Sequence, residues 1–203
     1  MQLQDVFSHY GDDLKRVEAL MDLHLRSDVD MIPEVVGHLV GSGGKRFRPL
    51  LLLVAADLCR YRGEHRYALA AVIEFIHTAS LLHDDVVDEA KTRRGRTSAN
   101  NIWGNSASVL VGDYLYSKAF KLMSEANNLA VIKLLSTTSN TMAEGEVFQL
   151  MKCGDVRITE KDYFSIIEKK TAVLISAACA IGGLLGDVAE EKVQALTRFG
   201  MRL

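Results

Sequence analysis

Only two prolines, Pro33 and Pro49, interrupt a chain in which apolar side chains recur three and four positions apart almost throughout. Proline is the residue that most firmly stops a helix, and helical spacing is what lets one face be buried. Alternating runs of β-branched residues, the mark of strands, are few. The chain is therefore expected to be all-α, with helices over residues 3–26, 30–40, 49–61, 65–89, 106–126, 128–151, 159–182 and 188–202. Connections are short except for "KTRRGRTSANNIWGN" at 91–105, and a long loop within a compact domain often carries function. No repeat, low-complexity tract or linker breaks the sequence, so residues 1–203 are expected to form a single domain.

Composition narrows the possibilities. A 48% hydrophobic content can build a real core, while 24 basic against 26 acidic side chains leave a net charge of -2. No global field recruits nucleic acid or a membrane, so neither is an expected partner. Cys59, Cys153 and Cys179 are odd in number, far apart and without metal-site or redox spacing, and are expected to be reduced and buried. The opening "MQLQDVFSHYGDDLKRVEAL" lacks the basic and apolar blocks of a signal peptide, which points to the cytoplasm. "AVLISAACAIGGLLG", Ala172 to Gly186, falls short of the roughly 20 residues that span a bilayer, and reads as a buried core helix.

Chemistry concentrates in "LLHDDVVDEAKTRRGR", residues 81–96. On a helix Asp84 and Asp88 share a face, with Asp85 alongside, and such like charges repel. A divalent cation relieves that repulsion, and Mg2+ suits it, because it often takes one or two carboxylates and completes its shell with water and phosphate oxygens. His77 lies two turns earlier on the same stripe, above an apolar wall of Val72, Ile73, Phe75, Ile76, Leu81 and Leu82. The plainer alternative is a solvated acidic helix end with a core histidine. Arg93, Arg94 and Arg96 offer guanidinium forks suited to phosphate, or else form a solvated basic loop.

"GSGGKRFRP" adds Gly41, Gly43 and Gly44, which permit tight turns, with Lys45, Arg46 and Arg48 between them and Pro49. This is a plausible anion cradle at a helix start. It is not a Walker loop, because Leu39 stands where the first glycine would fall and Arg46 follows Lys45. "IIEKKTAVL" places Lys169, Lys170 and Thr171 before an apolar stretch, and "AEGEVFQL" puts Glu146 and Gln149 on one side of a helix. Taken alone, these are a solvated lysine pair and a helix-packing hydrogen bond.

Taken in order, "GGKRFRP", "FIHTASLLHDDVVDE", "RRG", "SVLVGDYLYSKAF", "AEGEVFQLMK" and "KKTAVL" resemble the trans-type isoprenyl diphosphate synthases, and most nearly the bacterial octaprenyl and related long-chain polyprenyl diphosphate synthases that make quinone side chains. The resemblance implies an all-α isoprenoid-synthase helical bundle around a central cavity, acting as a homodimeric prenyltransferase. It would join isopentenyl diphosphate to an allylic, farnesyl-type diphosphate. It further implies that Lys45, Arg48, His77 and Arg94 hold isopentenyl diphosphate. Asp84 and Asp88, with Asp85 in support, would bind Mg2+ on the allylic diphosphate, which Arg93, Lys170, Thr171 and Gln149 would also contact. Lys170 and the three aspartates would be catalytic. Ala79 and Ser80, small residues just before the aspartates, would leave the floor of the product pocket open.

The family's second aspartate-rich motif is not found before the chain closes with "LTRFGMRL", so the resemblance covers the N-terminal two-thirds of a synthase, and the 203 residues by themselves are expected to be inactive. Two other readings compete. One is a non-catalytic homologue that serves as a binding or dimerisation partner. The other is a metal-dependent phosphohydrolase built on the His83–Asp84 pair, for which His9, His24, His38 and His65 supply no matching ligand pattern.

Overall fold

The computed structural model describes residues 2–41 and 44–203, so Gly43 of the glycine-rich turn lies outside the described residues. As expected, helix dominates. Eleven α-helices are present among the described residues: α1 (Leu3–His9), α2 (Gly11–His24), α3 (Met31–Val40), α4 (Phe47–Leu58), α5 (His65–Val87), α6 (Ala99–Trp103), α7 (Asn105–Glu125), α8 (Leu129–Lys152), α9 (Glu160–Ile167), α10 (Val173–Leu185) and α11 (Glu190–Met201). A π turn, Glu168–Ala172, joins α9 to α10, and a ribbon pairs β1 (Thr92–Arg93) with β2 (Arg96–Thr97).

The chain packs into two compact units, one made of Met1–Leu50 with Tyr67–Ala126, the other of Leu51–Arg66 with Asn127–Leu203. In the first, α3 packs against α6 and α7. Helix α5 has no solvent face along Leu69–Ile76, where every residue is buried. A helix apolar on all sides is a core helix, and the one acid in that stretch, Glu74, is ion-paired with Arg46. In the second unit α10 plays the corresponding part, buried from Ser176 to Gly183 and packed against α8 and α11. Among the described residues no helix is long and apolar enough to cross a membrane.

The structure departs from the expected elements in four places. The helix expected over 3–26 is broken at Tyr10 (φ -94°, ψ 12°), which is buried and is followed by Gly11, a weak helix former. The loop at 91–105 contains the ribbon and α6, because Arg94 and Gly95 both take positive φ (51° and 77°) and close a two-residue hairpin turn. The helix expected over 159–182 is continuous in path but wider at 168–172. Of the three thiols, all free, Cys179 is buried and Cys59 half-buried, while Cys153 is exposed at the end of α8, against expectation. Burial pushes the Cys179 thiol up to about 11.

Close helix approach in the second unit rests on Gly182. A methyl group there would sit 2.5 Å from the carbonyl carbon and Cβ of Ala55 and from the amide nitrogen of Ala56, so it meets backbone that cannot swing aside. Gly182→Ala should destabilise the protein by about 1–3 kcal/mol, overpacking outweighing the gain in helix propensity. Urea denaturation checks this, and an unchanged or raised midpoint would refute it.

Candidate active site

The end of α5 sets the geometry. Asp88 N–H donates to the Asp84 carbonyl (2.8 Å), Glu89 N–H to Val86 (3.3 Å), and Ala90 N–H to Asp85 (2.9 Å), with Glu89 at φ 48°. This pair of reversed bonds around a left-handed residue closes a helix C-terminus. Further carbonyls are satisfied by Asn100, which donates to the Asp85 oxygen (3.0 Å), and by Ser98 and Asn101, which donate to Ala90 (2.5 and 2.6 Å). The aspartates therefore gather where the helix dipole is already negative, the least favourable end for carboxylates. Compensating cations are physically required.

One compensation is internal. Asp85 is fully buried, and Arg93 donates through Nε (2.8 Å) and Nη2 (2.7 Å) to its Oδ1. Its Oδ2 is buried without a hydrogen-bond partner. Asp84 is also buried, whereas Asp88 is exposed. Among the described residues no three His, Cys, Asp or Glu side chains converge to hold a metal by themselves. The unpartnered Asp85 oxygen, at the negative end of the α5 dipole, has the chemistry of a donor to a hard cation.

The cationic side is built from two turns. At the ribbon tip Arg94 holds a left-handed conformation that favours glycine or asparagine. His38 Nε2 donates to the Thr97 carbonyl (2.7 Å), tying β2 to α3. In the Gly44–Arg48 segment Arg46 is also left-handed (φ 49°), and its guanidinium is held by Glu18 and Glu74 (3.1 Å each). A methyl group on Gly44 would lie 2.8 Å from Arg46 Nη1 and 3.2 Å from Arg94 Nη1, so two guanidiniums close over this glycine. Backbone strain of this kind collects at sites where a side chain must be aimed.

His77 reports on the same cluster. Burial, then Arg48, Arg94, Arg93 and Arg46 in that order, push its pKa down to about 3, so the ring is neutral. Arg48 is itself depressed, first by burial and then by Arg94, with Glu74 opposing, and its Nε is buried without a partner. Lys45 is exposed and lines a cavity of about 310 Å³ with Leu3, Gln4 and Phe7. Lys45, Arg48, His77, Arg93 and Arg94 thus share the first unit with the three aspartates. Ala79 is fully buried, and Ser80, half-buried, turns its hydroxyl onto the His77 carbonyl (2.8 Å). The second unit carries Gln149 on α8 and Lys170 and Thr171 on the π turn, where Lys170 pairs with Glu146 at 2.7 Å.

Sequence reasoning did not assign Glu18 and Glu74, the counter-charges of Arg46. Glu74 was visible as an acid three residues before His77 in an apolar run, but its partner depends on tertiary contact.

A family model for polyprenyl synthetases matches residues 29–203. The chain belongs to that family. It is 43% identical to octaprenyl diphosphate synthase of Escherichia coli over 203 residues, which is 100% of this chain and 63% of the relative. A crystal structure of a decaprenyl diphosphate synthase from Rhodobacter capsulatus matches with TM-score 0.94 and 46% identity, covering 97% of this chain and 61% of that one. A polyprenyl synthase from Caulobacter crescentus, complexed with calcium and isoprenyl diphosphate, matches with TM-score 0.96 and 42% identity, over 98% and 61% of the two chains. The chain thus spans a little over three-fifths of the length of these relatives.

The neutral His77 makes folding of the chain acid-sensitive. Between pH 6.5, its ordinary value, and about 3, its folded value, the unfolded chain takes up a proton that the folded chain refuses. Its contribution is flat above that window, and on acidification through it stability falls by up to about 1.4 kcal/mol per pH unit. Unfolding of wild type and His77→Gln, compared at pH 7 and pH 5, should show a shallower acid loss in the variant. Equal losses would refute the assignment.

Proposed function

We propose that the chain carries the ionising half-site of a long-chain all-trans polyprenyl diphosphate synthase, joining isopentenyl diphosphate to an allylic diphosphate. The carrying observation is the convergence of four arginines on an uncharged histidine, in the unit whose helix α5 ends in three aspartates. Arg46 and Arg93 are held by carboxylates of the protein, while the exposed Arg94 and the buried, unpartnered Nε of Arg48 remain as donors suited to a diphosphate. The relatives, octaprenyl, nonaprenyl and decaprenyl diphosphate synthases, support the substrate class and the long product.

In this reading Lys45, Arg48, His77 and Arg94 bind isopentenyl diphosphate. His77, being neutral, offers a hydrogen bond without adding to the repulsion among its arginine neighbours. Asp84 and Asp88 would hold Mg2+, which when bound stabilises the charge of the departing allylic diphosphate. Asp85 steadies them through Arg93, and Arg93, Lys170, Thr171 and Gln149 serve the allylic diphosphate. Ionisation leaves an allylic cation, the isopentenyl double bond attacks it, and loss of a proton gives a diphosphate one unit longer. The buried apolar run of α5 keeps water from the cation. A farnesyl-type primer, a quinone side-chain precursor as product, a cytoplasmic setting and a homodimer complete the proposal, with residues 1–203 forming one domain in the whole protein.

The phosphohydrolase alternative is disfavoured. His83 Nε2 is engaged by the Val109 carbonyl (3.1 Å) and Asp113 (3.4 Å), and its ring lies where a side chain at Gly112 would fall.

The test is elongation of farnesyl diphosphate by labelled isopentenyl diphosphate and Mg2+ in the full-length protein. Asp84→Ala should lower kcat by ~10²–10³, the loss typical of removing one element of electrostatic stabilisation, and chelation should abolish turnover. Ala79→Tyr should shorten the products, because a ring five residues before Asp84 obstructs the apolar floor about 7.5 Å along the helix. Chromatography of the dephosphorylated products reads both effects. Full activity of Asp84→Ala would refute the site, and an unchanged product length in Ala79→Tyr would refute the pocket.

A further inference from the structure

Three consecutive residues of α8 grip the π turn. Glu144 Oε2 accepts from Lys169 Nζ (3.3 Å), and Asn140 steadies that carboxylate by donating to Oε1 (2.9 Å). Glu146 Oε2 accepts from Lys170 Nζ at 2.7 Å. Between them Gly145 is buried, and the π turn lies directly against it. A methyl group at 145 would stand 2.7 Å from Lys169 Cβ and 3.2 Å from both the Lys169 carbonyl carbon and the Lys170 amide nitrogen. Two of those three atoms are backbone, so a side chain here could be accommodated only by moving the turn.

The two ion pairs differ in weight. Lys169 and Glu144 retain 36% and 57% of their side-chain exposure, and an exposed pair contributes little. Lys170 and Glu146 retain 22% and 27%, and their contact is shorter. The turn that carries them is itself unusual, since isolated π turns are rare within helical segments and frequent at functional sites. More residues per turn means a smaller angle between neighbours. Two successive lysines can therefore reach the two carboxylates that flank Gly145.

We propose that Gly145 and Glu146 are positioning residues for Lys170: the bare backbone at 145 seats the π turn, and Glu146 aims the Lys170 ammonium before an allylic diphosphate arrives. The inference rests on the reading of Lys170 as a ligand of that diphosphate, and it adds the device that sets the lysine's direction. A ligand displaced by even 1 Å loses much of its effect on a reacting group. Gly145→Ala exposes this cleanly, because alanine favours the helix while the added methyl displaces the turn.

The test uses the full-length protein with Mg2+ and farnesyl thiodiphosphate, an allylic probe whose C–S bond resists ionisation. Its Kd is measured for wild type, Gly145→Ala, Glu146→Gln, Lys170→Ala and the double variant Gly145→Ala/Lys170→Ala, alongside KM for isopentenyl diphosphate. The proposal expects Gly145→Ala and Glu146→Gln each to raise Kd about tenfold. KM for isopentenyl diphosphate should stay within twofold, and the double variant should bind no more weakly than Lys170→Ala alone, the non-additivity of residues that act through one another. If Lys170→Ala weakens binding but Gly145→Ala and Glu146→Gln do not, the positioning role is overturned and the Lys170 assignment stands. If Lys170→Ala leaves Kd unchanged, the assignment fails and the positioning role falls with it. A parallel rise in Kd and in KM for isopentenyl diphosphate would show a general structural defect and would likewise overturn the proposal.

Discussion

Negative charge brought to the wrong end of a helix is the constraint on which the first unit of this chain depends. Asp84 and Asp85 are buried, Asp88 and Glu89 follow at the closing turn, and the backbone dipole of α5 adds its own negative pole. Buried carboxylates without partners are too costly to persist. The structure answers with Arg93 on Asp85 and with side-chain donors on the backbone oxygens of Asp85 and Ala90. One Asp85 oxygen remains buried and unpartnered. Local folding thus neutralises part of the charge through Arg93.

The arginines divide their work in a complementary way. Arg46 and Arg93 are ion-paired with carboxylates within the protein, whereas Arg94 is exposed at a hairpin tip and Arg48 keeps a buried nitrogen unpartnered. The first pair holds the two turns in place, and the second pair is presented by them. His77 stands among all four, and burial first, then their positive charges, hold its pKa low. Had the histidine been charged, it would have added to the repulsion. Being neutral, it is a hydrogen-bonding group that the cluster can tolerate.

Both turns hold their cations at some conformational cost. Arg46 and Arg94 occupy left-handed backbone, where L-residues with side chains are disfavoured. Their geometry is enforced from outside: ion pairs fix Arg46, and the ribbon and His38 hold the strand that follows Arg94. The second unit uses a different device, a widened helical turn seated against a glycine, to present Lys170 and Thr171. In each case precision comes from packing around the functional segment rather than from its intrinsic preference.

By itself the amino-acid sequence determined the helical class, because periodicity and scarce proline act within a few residues. It also singled out the side chains proposed to bind metal and diphosphate, since the order of "GGKRFRP", "HDDVVDE", "RRG" and "KKTAVL" is local information. Helix α5 and the buried α10 were legible for the same reason. Only tertiary structure decided that Asp85 is an internal partner of Arg93, that Glu74 and Glu18 hold Arg46, and that Gly145 admits a π turn. Each of those facts joins residues between 8 and 28 positions apart. Such contacts arise from packing and burial, which set the strength of every charge and which no periodicity in the chain encodes.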